Sequence, residues 1–375
     1  AILNTRMMKV LFQTRINIFD APGGDLIQMK KTKEYLEKLG VSVDISLDLE
    51  PNLDGYDIVH LFNLMDPQDI CRQMLNAKRQ NKKIVLSTIY GLYTEFERKA
   101  RGGWFQELAK ILSPYQIGYI KNIVRYTFEG RLHKGILKMA LKGYYNQMNE
   151  IVRNTAVLLP NSESEMERIA QEFKLKNYRY VNVPNAIDKR IFQAEVKHTG
   201  KYDQYKDCVL CVARIEGRKG TLNLIRALKD TNLKLAFVGK FSNNQKGYVE
   251  QVRKEAGENV HFLGVIPHEE LLELYKMARV HALISWMETP GLSSLEAAAA
   301  GCNVVATKKG DTYDYFKDDA FYCEPDDLQS IRDAVLQAYN APKNQAFQDR
   351  ILRDYCWEKT ADRTLEGYRL ALGMA

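Results

Sequence analysis

Short apolar runs alternate with longer helical stretches along almost the whole of this chain, and they do so twice. From Lys9 the order is KVLF, a helix over about Asp25–Leu39, VSVDI, DIVHLF, a helix through Asp69–Arg79, and KIVLST. This rhythm predicts βαβ units, hence a parallel sheet with helices on both faces. It restarts with AVLLPNS, a helix over Ser164–Phe173 and YVNVPNAID, then CVLCVAR, a helix from Thr221, LKLAFVG, VHFLG, HALIS, CNVVAT and AFYCE. Helices then dominate from Leu328 to Leu372. The chain has 375 residues, more than the roughly 250–300 that one core sustains. The reading is therefore α/β, with two Rossmann-like domains and a crossover near Val183–Ile187. The expected boundaries are 7–184 for the first domain and 185–355 for the second, with 356–375 a helix returning to the first. Residues 1–6, ahead of Met7 and Met8, are read as leader residues outside the fold.

Composition narrows the class. Hydrophobic residues at 45% and charged residues at 27% suit a globular protein, and no run approaches the roughly 20 apolar residues of a membrane span. The N-terminus lacks the pattern of a secretory signal, so a cytoplasmic location is expected. Six cysteines are too few for a disulfide scaffold and fit buried thiols. Cys208 and Cys211 form a CxxC, but in an apolar β run positions three apart point to opposite faces, which favours burial over redox or zinc chemistry.

The net charge of +7 is not evenly spread. Between Arg98 and Lys142 lie ten basic residues, Arg98 and Arg101 among them, against the acidic Glu107 and Glu129. Trp104, Tyr115, Tyr119 and Tyr126 are among the aromatics interleaved there, with Tyr144 just beyond. Such a stretch suits a solvated basic face over a core stripe, or a helix on an anionic membrane surface at the inner face of the membrane. Nucleic acid is the weakest of the readings, and no such partner is expected.

In open α/β sheets ligands sit at the carboxyl ends of the strands. Three such ends stand out. After the first strand, Gly23-Gly24 runs into a helix; paired glycines admit a close ligand, and a tight turn needing positive φ explains them equally well. After CVLCVAR come Arg214 and Lys219, two cations suited to a diphosphate, although a solvated basic turn would also carry them. The third end is Glu288-Thr-Pro-Gly-Leu-Ser-Ser-Leu-Glu296. Ser293 and Glu296 have the spacing of a capping box, which is a sufficient structural reason for Glu296. Free amides at Gly291, Leu292 and Ser293 would cradle an anion. Carboxylates beside such a cradle suit sugar hydroxyls, so the ligand implied is a nucleoside diphosphate sugar.

These motifs resemble those of retaining GT-B glycosyltransferases of family 4 (glycosyl transferases group 1). Glu288 to Glu296 is similar to the family's E-x7-E motif, and Arg214 with Lys219 to its R-x4-K pair. Other landmarks in the same order are Pro160–Ser162, Val183–Asp188, Phe262–Pro267, AAGCNVVAT and KGDTYDYF. The resemblance covers nearly the whole chain, most strongly from Pro160 to Asp327. It implies two domains facing a deep cleft, the first binding acceptor and the second binding the nucleotide sugar.

By the same resemblance Glu288 would hold donor-sugar hydroxyls, Glu296 the ribose, Arg214 and Lys219 the diphosphate, and the Val265–Ile266 backbone the base. Gly23 and Gly24 would lie against phosphate and sugar. Where the family commonly has His-Gly after the fourth strand, this chain has Tyr90-Gly91, so Tyr90 joins Arg98 and Arg101 as an acceptor-region candidate. Asn303 stands where proline is usual. His60, late in its strand, is read either as a residue at the cleft mouth or as a satisfied core histidine. The chain contains no Asp-x-Asp, so neither a divalent metal nor another cofactor is expected.

The implied function is transfer of a sugar, with retention, to a glycan or lipid-linked acceptor in cell-surface polysaccharide biosynthesis. The acceptor hydroxyl would attack from the face the diphosphate leaves, a diphosphate oxygen taking its proton. A nucleotide-sugar epimerase on the same fold, or a non-catalytic basic binding module, are the alternatives.

Overall fold

The computed structural model describes residues 6–20, 22–91 and 143–374. They form two compact units, one of residues 6–91, 143–185 and 357–374, the other of residues 186–356.

The first unit runs β1 (Lys9–Gln13), α1 (Gly24–Lys38), β2 (Ser42–Ile45), β3 (Ile58–Phe62), α2 (Pro67–Arg79), β4 (Lys83–Ser87), α3 (Tyr144–Arg153), β5 (Val157–Leu159) and α4 (Glu163–Glu172). Its sheet order is β2-β1-β3-β4-β5, every neighbouring pair parallel. The central strand β3 is buried at all its residues, as its unbroken apolar run requires when helices cover both faces. The chain's last helix, Trp357–Leu372, packs on α1, β4 and β5.

Gly367 lets that helix close on the sheet, since a Cβ there would stand 2.6 Å from Leu159 Cδ2. A buried polar tie fixes its rotation: His60 Nδ1 lies 2.6 Å from Tyr368 Oη and Nε2 2.8 Å from Ser87 Oγ. Both nitrogens are thus satisfied in the core, and burial lowers the His60 pKa to about 3, keeping the ring neutral. Of the two readings of His60, the core one holds.

The second unit contains α5 (Lys189–Gln193), β6 (Val209–Val212), α6 (Thr221–Ala227), β7 (Leu235–Val238), α7 (Lys246–Glu255), β8 (Val260–Gly264), α8 (His268–Met277), β9 (Val280–Leu283), α9 (Leu292–Ala299), β10 (Asn303–Thr307), α10 (Thr312–Phe316), β11 (Phe321–Cys323), α11 (Leu328–Asn340) and α12 (Gln345–Asp354). The final helix of the chain is α13. The sheet order is β11-β10-β9-β6-β7-β8, again parallel.

Cys208 packs with Leu210 and Ala236 on one side of this sheet, Cys211 with Val209 and Phe237 on the other. None of the six cysteines is in a disulfide and all are buried, and burial raises the Cys208 and Cys211 thiols to about 12. Asn303, in the proline position, is useful rather than neutral: its Nδ2 donates to Ala338 O at 2.8 Å, near the end of α11. Among the described residues no helix is long and apolar enough to cross a membrane.

Candidate active site

In the second unit the carboxyl ends of β6 and β9 carry loops that are sewn together. The β6 loop makes a 3-10 turn over Gly217–Lys219 and enters α6 through Gly220, which has φ +71°. A Cβ at Gly220 would stand 2.1 Å from Ile284 O, so only glycine lets this loop seat on the end of β9. The Arg218 carbonyl accepts from Trp286 N at 2.9 Å and Ser285 Oγ at 3.2 Å. That stitching brings Lys219 Nζ onto Glu288 Oε1, with side chains only 15% and 12% exposed. Arg214 does not join the pair: it is exposed at the end of β6, with no carboxylate partner among the described residues.

Glu288 is held by its backbone. Its N–H donates to Lys309 O at 3.2 Å, and its carbonyl accepts from Asp311 N at 2.9 Å, forming a parallel bridge with Gly310. The chain then turns through Gly291 at φ +85°, the N-cap of α9, where a Cβ would come within 3.3 Å of Glu288 Oε2. This overturns the capping box expected at Ser293 and Glu296. A glycine occupies the cap, Ser293 lies inside the helix, and among the described residues no side-chain hydrogen bond caps the helix start. The early amides of α9, around Gly291, Leu292 and Ser293, keep the partial positive charge of a helix start.

Glu296 instead meets His268 Nε2 of α8 at 3.3 Å and is 21% exposed. Burial, reinforced by the Glu296 charge, raises the Tyr275 phenol well above its usual value. Ser294, on the buried side of the same helix, lies 3.5 Å from His281 Nδ1, while His281 Nε2 accepts from Val212 N at 3.2 Å. Burial lowers His281 to about 3, so this neutral ring registers α9 against β6. At the last residue of β8, Gly264, the backbone is left-handed, and beyond it Val265 and Ile266 precede Pro267 at the cap of α8; Val265 is exposed.

The first unit has its own strand-end cluster. Gly23 caps α1 in an extended conformation, and neither it nor Gly24 has positive φ, so the tight-turn explanation fails. At Gly23 a Cβ would meet Asp25 Oδ1 at 2.9 Å; at Gly24 it would meet nothing within 4 Å. Packing therefore requires the first glycine and not the second. Asp25 is gripped by Arg15 through Nε at 2.8 Å and Nη2 at 3.1 Å, and Asn63 Nδ2 donates to Asp25 at 3.1 Å and to Asp66 at 3.3 Å. All four are buried. Sequence reasoning missed this cluster, although Arg15 and Asp25 flank the glycine loop.

Tyr90 is a core residue, its ring edge-on to Phe173 at 6.1 Å and its N–H donating to Glu165 at 2.7 Å. The structure thus gives it no open face for an acceptor. Arg98, Arg101 and the basic stretch to Lys142 lie outside the described residues.

Residues 193–351 match the family model described as glycosyl transferases group 1. An uncharacterized glycosyltransferase of Methanocaldococcus jannaschii is 31% identical, over 94% of this chain and 95% of that protein. The D-inositol 3-phosphate glycosyltransferase of Corynebacterium urealyticum is 23% identical, over 92% and 90%. Among solved structures, Anabaena HepE in complex with UDP and glucose superposes with a TM-score of 0.62 at 16% identity, covering 96% of this chain and 98% of that one. Two parallel Rossmann-like sheets and a relative 31% identical along nearly its full length place this chain in glycosyl transferases group 1, as a glycosyltransferase of GT-B fold.

Proposed function

We propose that the enzyme transfers a sugar from a nucleoside diphosphate sugar to a glycan or lipid-linked acceptor, with retention of anomeric configuration and without a divalent metal. The observation that carries this reading is the Lys219–Glu288 pair, set beside the uncapped start of α9. Lys219 and the exposed Arg214 supply two positive charges for a diphosphate, and the amides of Gly291, Leu292 and Ser293 supply donors that need no reorganisation as the leaving group gains charge. Glu288, mostly buried and fixed by its own backbone, accepts hydroxyls of the donor sugar. Glu296 accepts the ribose hydroxyls, His268 holding its carboxylate meanwhile, and the backbone at Val265 and Ile266 meets the base.

The open side of Gly24 leaves room for ligand in the first unit. That the Anabaena neighbour holds UDP and glucose supports a nucleotide-sugar donor, and a relative that acts on an inositol phosphate supports a phosphate-bearing acceptor. Cell-surface polysaccharide assembly at the inner face of a membrane would supply such acceptors.

The test begins with a panel of UDP- and GDP-sugars. The true donor at about 100 times its dissociation constant adds ~2.7 kcal/mol of stability, and the wrong donors add none. Product NMR with that donor should show the donor's own anomeric configuration, unchanged by EDTA. An inverted product removes the retaining mechanism, and loss of turnover with EDTA removes metal independence. Conversion of donor with no acceptor present would instead identify an epimerase.

A further inference from the structure

The first unit carries a second concentration of positive charge, at the amino ends of its strands, opposite the edge that bears Gly23 and Gly24. A cavity of about 920 Å³ there is lined by Arg153, Lys174, Lys176 and Arg179. A second, of about 420 Å³, is lined by Lys78, Lys82, Lys83 and the same Arg153. Thr155 and Ala156, leading into β5, also line both, so the two cavities adjoin and together make one basic groove. Among the described residues no carboxylate lines either.

The cations are placed by neutral partners. Arg153 donates from Nη2 to Phe173 O at 2.7 Å and from Nε to Asn149 Oδ1 at 2.9 Å. Arg179 Nη1 donates to Leu370 O at 3.2 Å, and Lys78 Nζ to Asn154 Oδ1 at 2.7 Å. Each Arg fork is thus oriented, and among the described residues neither Arg153 nor Arg179 forms an ion pair with a carboxylate.

Helix ends account for only part of this charge. α2, α3 and α4 all finish at this edge, and basic residues there complement helix dipoles. Three helix ends carry roughly −1.5 between them. Seven cations exceed that by about five charges. Lys174 is informative in itself. It closes α4 in the left-handed conformation at φ +51°, with Leu175 N donating to Ala170 O at 2.9 Å. Glycine fills that position at lower cost, yet a lysine stands in it, facing the cavity.

We propose that this groove is a second anion site, binding the phosphate of a phosphorylated ligand. Arginine forks and mobile ammonium groups around an open cavity match the several oxygens of a phosphate or diphosphate. The phosphate belongs either to a free molecule or to a lipid headgroup, for which clusters of four to eight basic residues suffice.

The experiment uses the full chain with the donor site filled by saturating UDP, and compares wild type with the triple variant K174E/K176E/R179E, all three exposed. Its circular dichroism and melting temperature should match wild type. One arm titrates inorganic tripolyphosphate by calorimetry; the other measures flotation with phosphatidylglycerol vesicles against phosphatidylcholine. At least tenfold weaker tripolyphosphate binding with unchanged flotation identifies a free ligand. Lost flotation, with or without that weakening, identifies a headgroup. K78E/K82E/K83E, acting on the smaller cavity, should weaken the same arm by less. Equal behaviour of triple variant and wild type in both arms overturns the proposal.

Discussion

The chain contains the same four-residue pattern, Ser-x-x-Glu, at the start of a helix in each unit, and the two copies have opposite fates. In the first, Ser162 caps α4 by accepting from Glu165 N at 2.9 Å. Glu165 then turns inward, fully buried, and accepts from Asn161 N and Tyr90 N, each at 2.7 Å, and from Thr88 Oγ1. Its carboxylate is consumed in fixing the loops that follow β4 and β5. In the second, α9 opens on Gly291 instead of Ser293, and Glu296 remains partly exposed beside His268. What differs is the residue at the helix entry: a left-handed glycine without a side chain leaves the first amides uncapped and the glutamate uncommitted. A carboxylate spared from local structure is available to a ligand.

The sharpest way to break this contrast is to remove the acidic group that adjoins the uncapped helix. Glu288→Ala should lower turnover on the order of 10³, the scale of losing a preorganised electrostatic partner, while the fold persists. Wild-type turnover would remove Glu288 from the site. The mirror experiment is Glu165→Ala. It strands three buried donors, so stability should fall by about 3 kcal/mol, read as a lower urea midpoint with little change in the slope. If Glu165→Ala melted like wild type and lost turnover instead, the contrast between the two glutamates would be reversed.

The two cations sharpen it next. Arg214 is exposed and makes no ion pair among the described residues, so Arg214→Ala should leave stability unchanged. It should weaken the donor roughly 10- to 100-fold, the range of one charged hydrogen bond. Lys219→Ala should do both kinds of damage, because it also leaves Glu288 buried without its counter-charge. Equal melting temperatures for the two variants would mean that the Lys219–Glu288 pair contributes nothing to the fold.

Much of this architecture was legible in the sequence because parallel strands covered on both faces must be continuously apolar, and runs such as DIVHLF and CVLCVA say so residue by residue. The motif positions were legible for a related reason, since each follows such a run directly. What could not be read were contacts that only the sheet creates. Arg15, Asp25 and Asp66 meet because β1 and β3 are neighbours, which spacing does not encode. Lys219 and Glu288 meet because Gly220 seats one loop on another. The capping box at Ser293 misled for the converse reason: the pattern is local, but whether it closes depends on how Pro290-Gly291 delivers the chain.

The smallest expected effect is also the most discriminating. Glu296→Gln keeps the shape of the side chain and removes its charge. If the carboxylate served as a helix cap, the loss would appear in stability, on the order of 1 kcal/mol. Glu296 caps nothing and is partly open, so the melting temperature should stay within about a degree, surface changes of this kind being worth no more than ~0.5 kcal/mol. If Glu296 holds the ribose as proposed, the change should appear instead in the donor KM, raised roughly tenfold for one weakened charged hydrogen bond, with turnover nearly constant because the ribose is remote from the bond being broken. His268→Ala, which removes the neighbour holding the carboxylate, should move KM in the same direction by less. A variant that loses stability while keeping its donor KM would make Glu296 a structural residue after all, and the pattern at the second helix would then differ from the first only in which groups it satisfies.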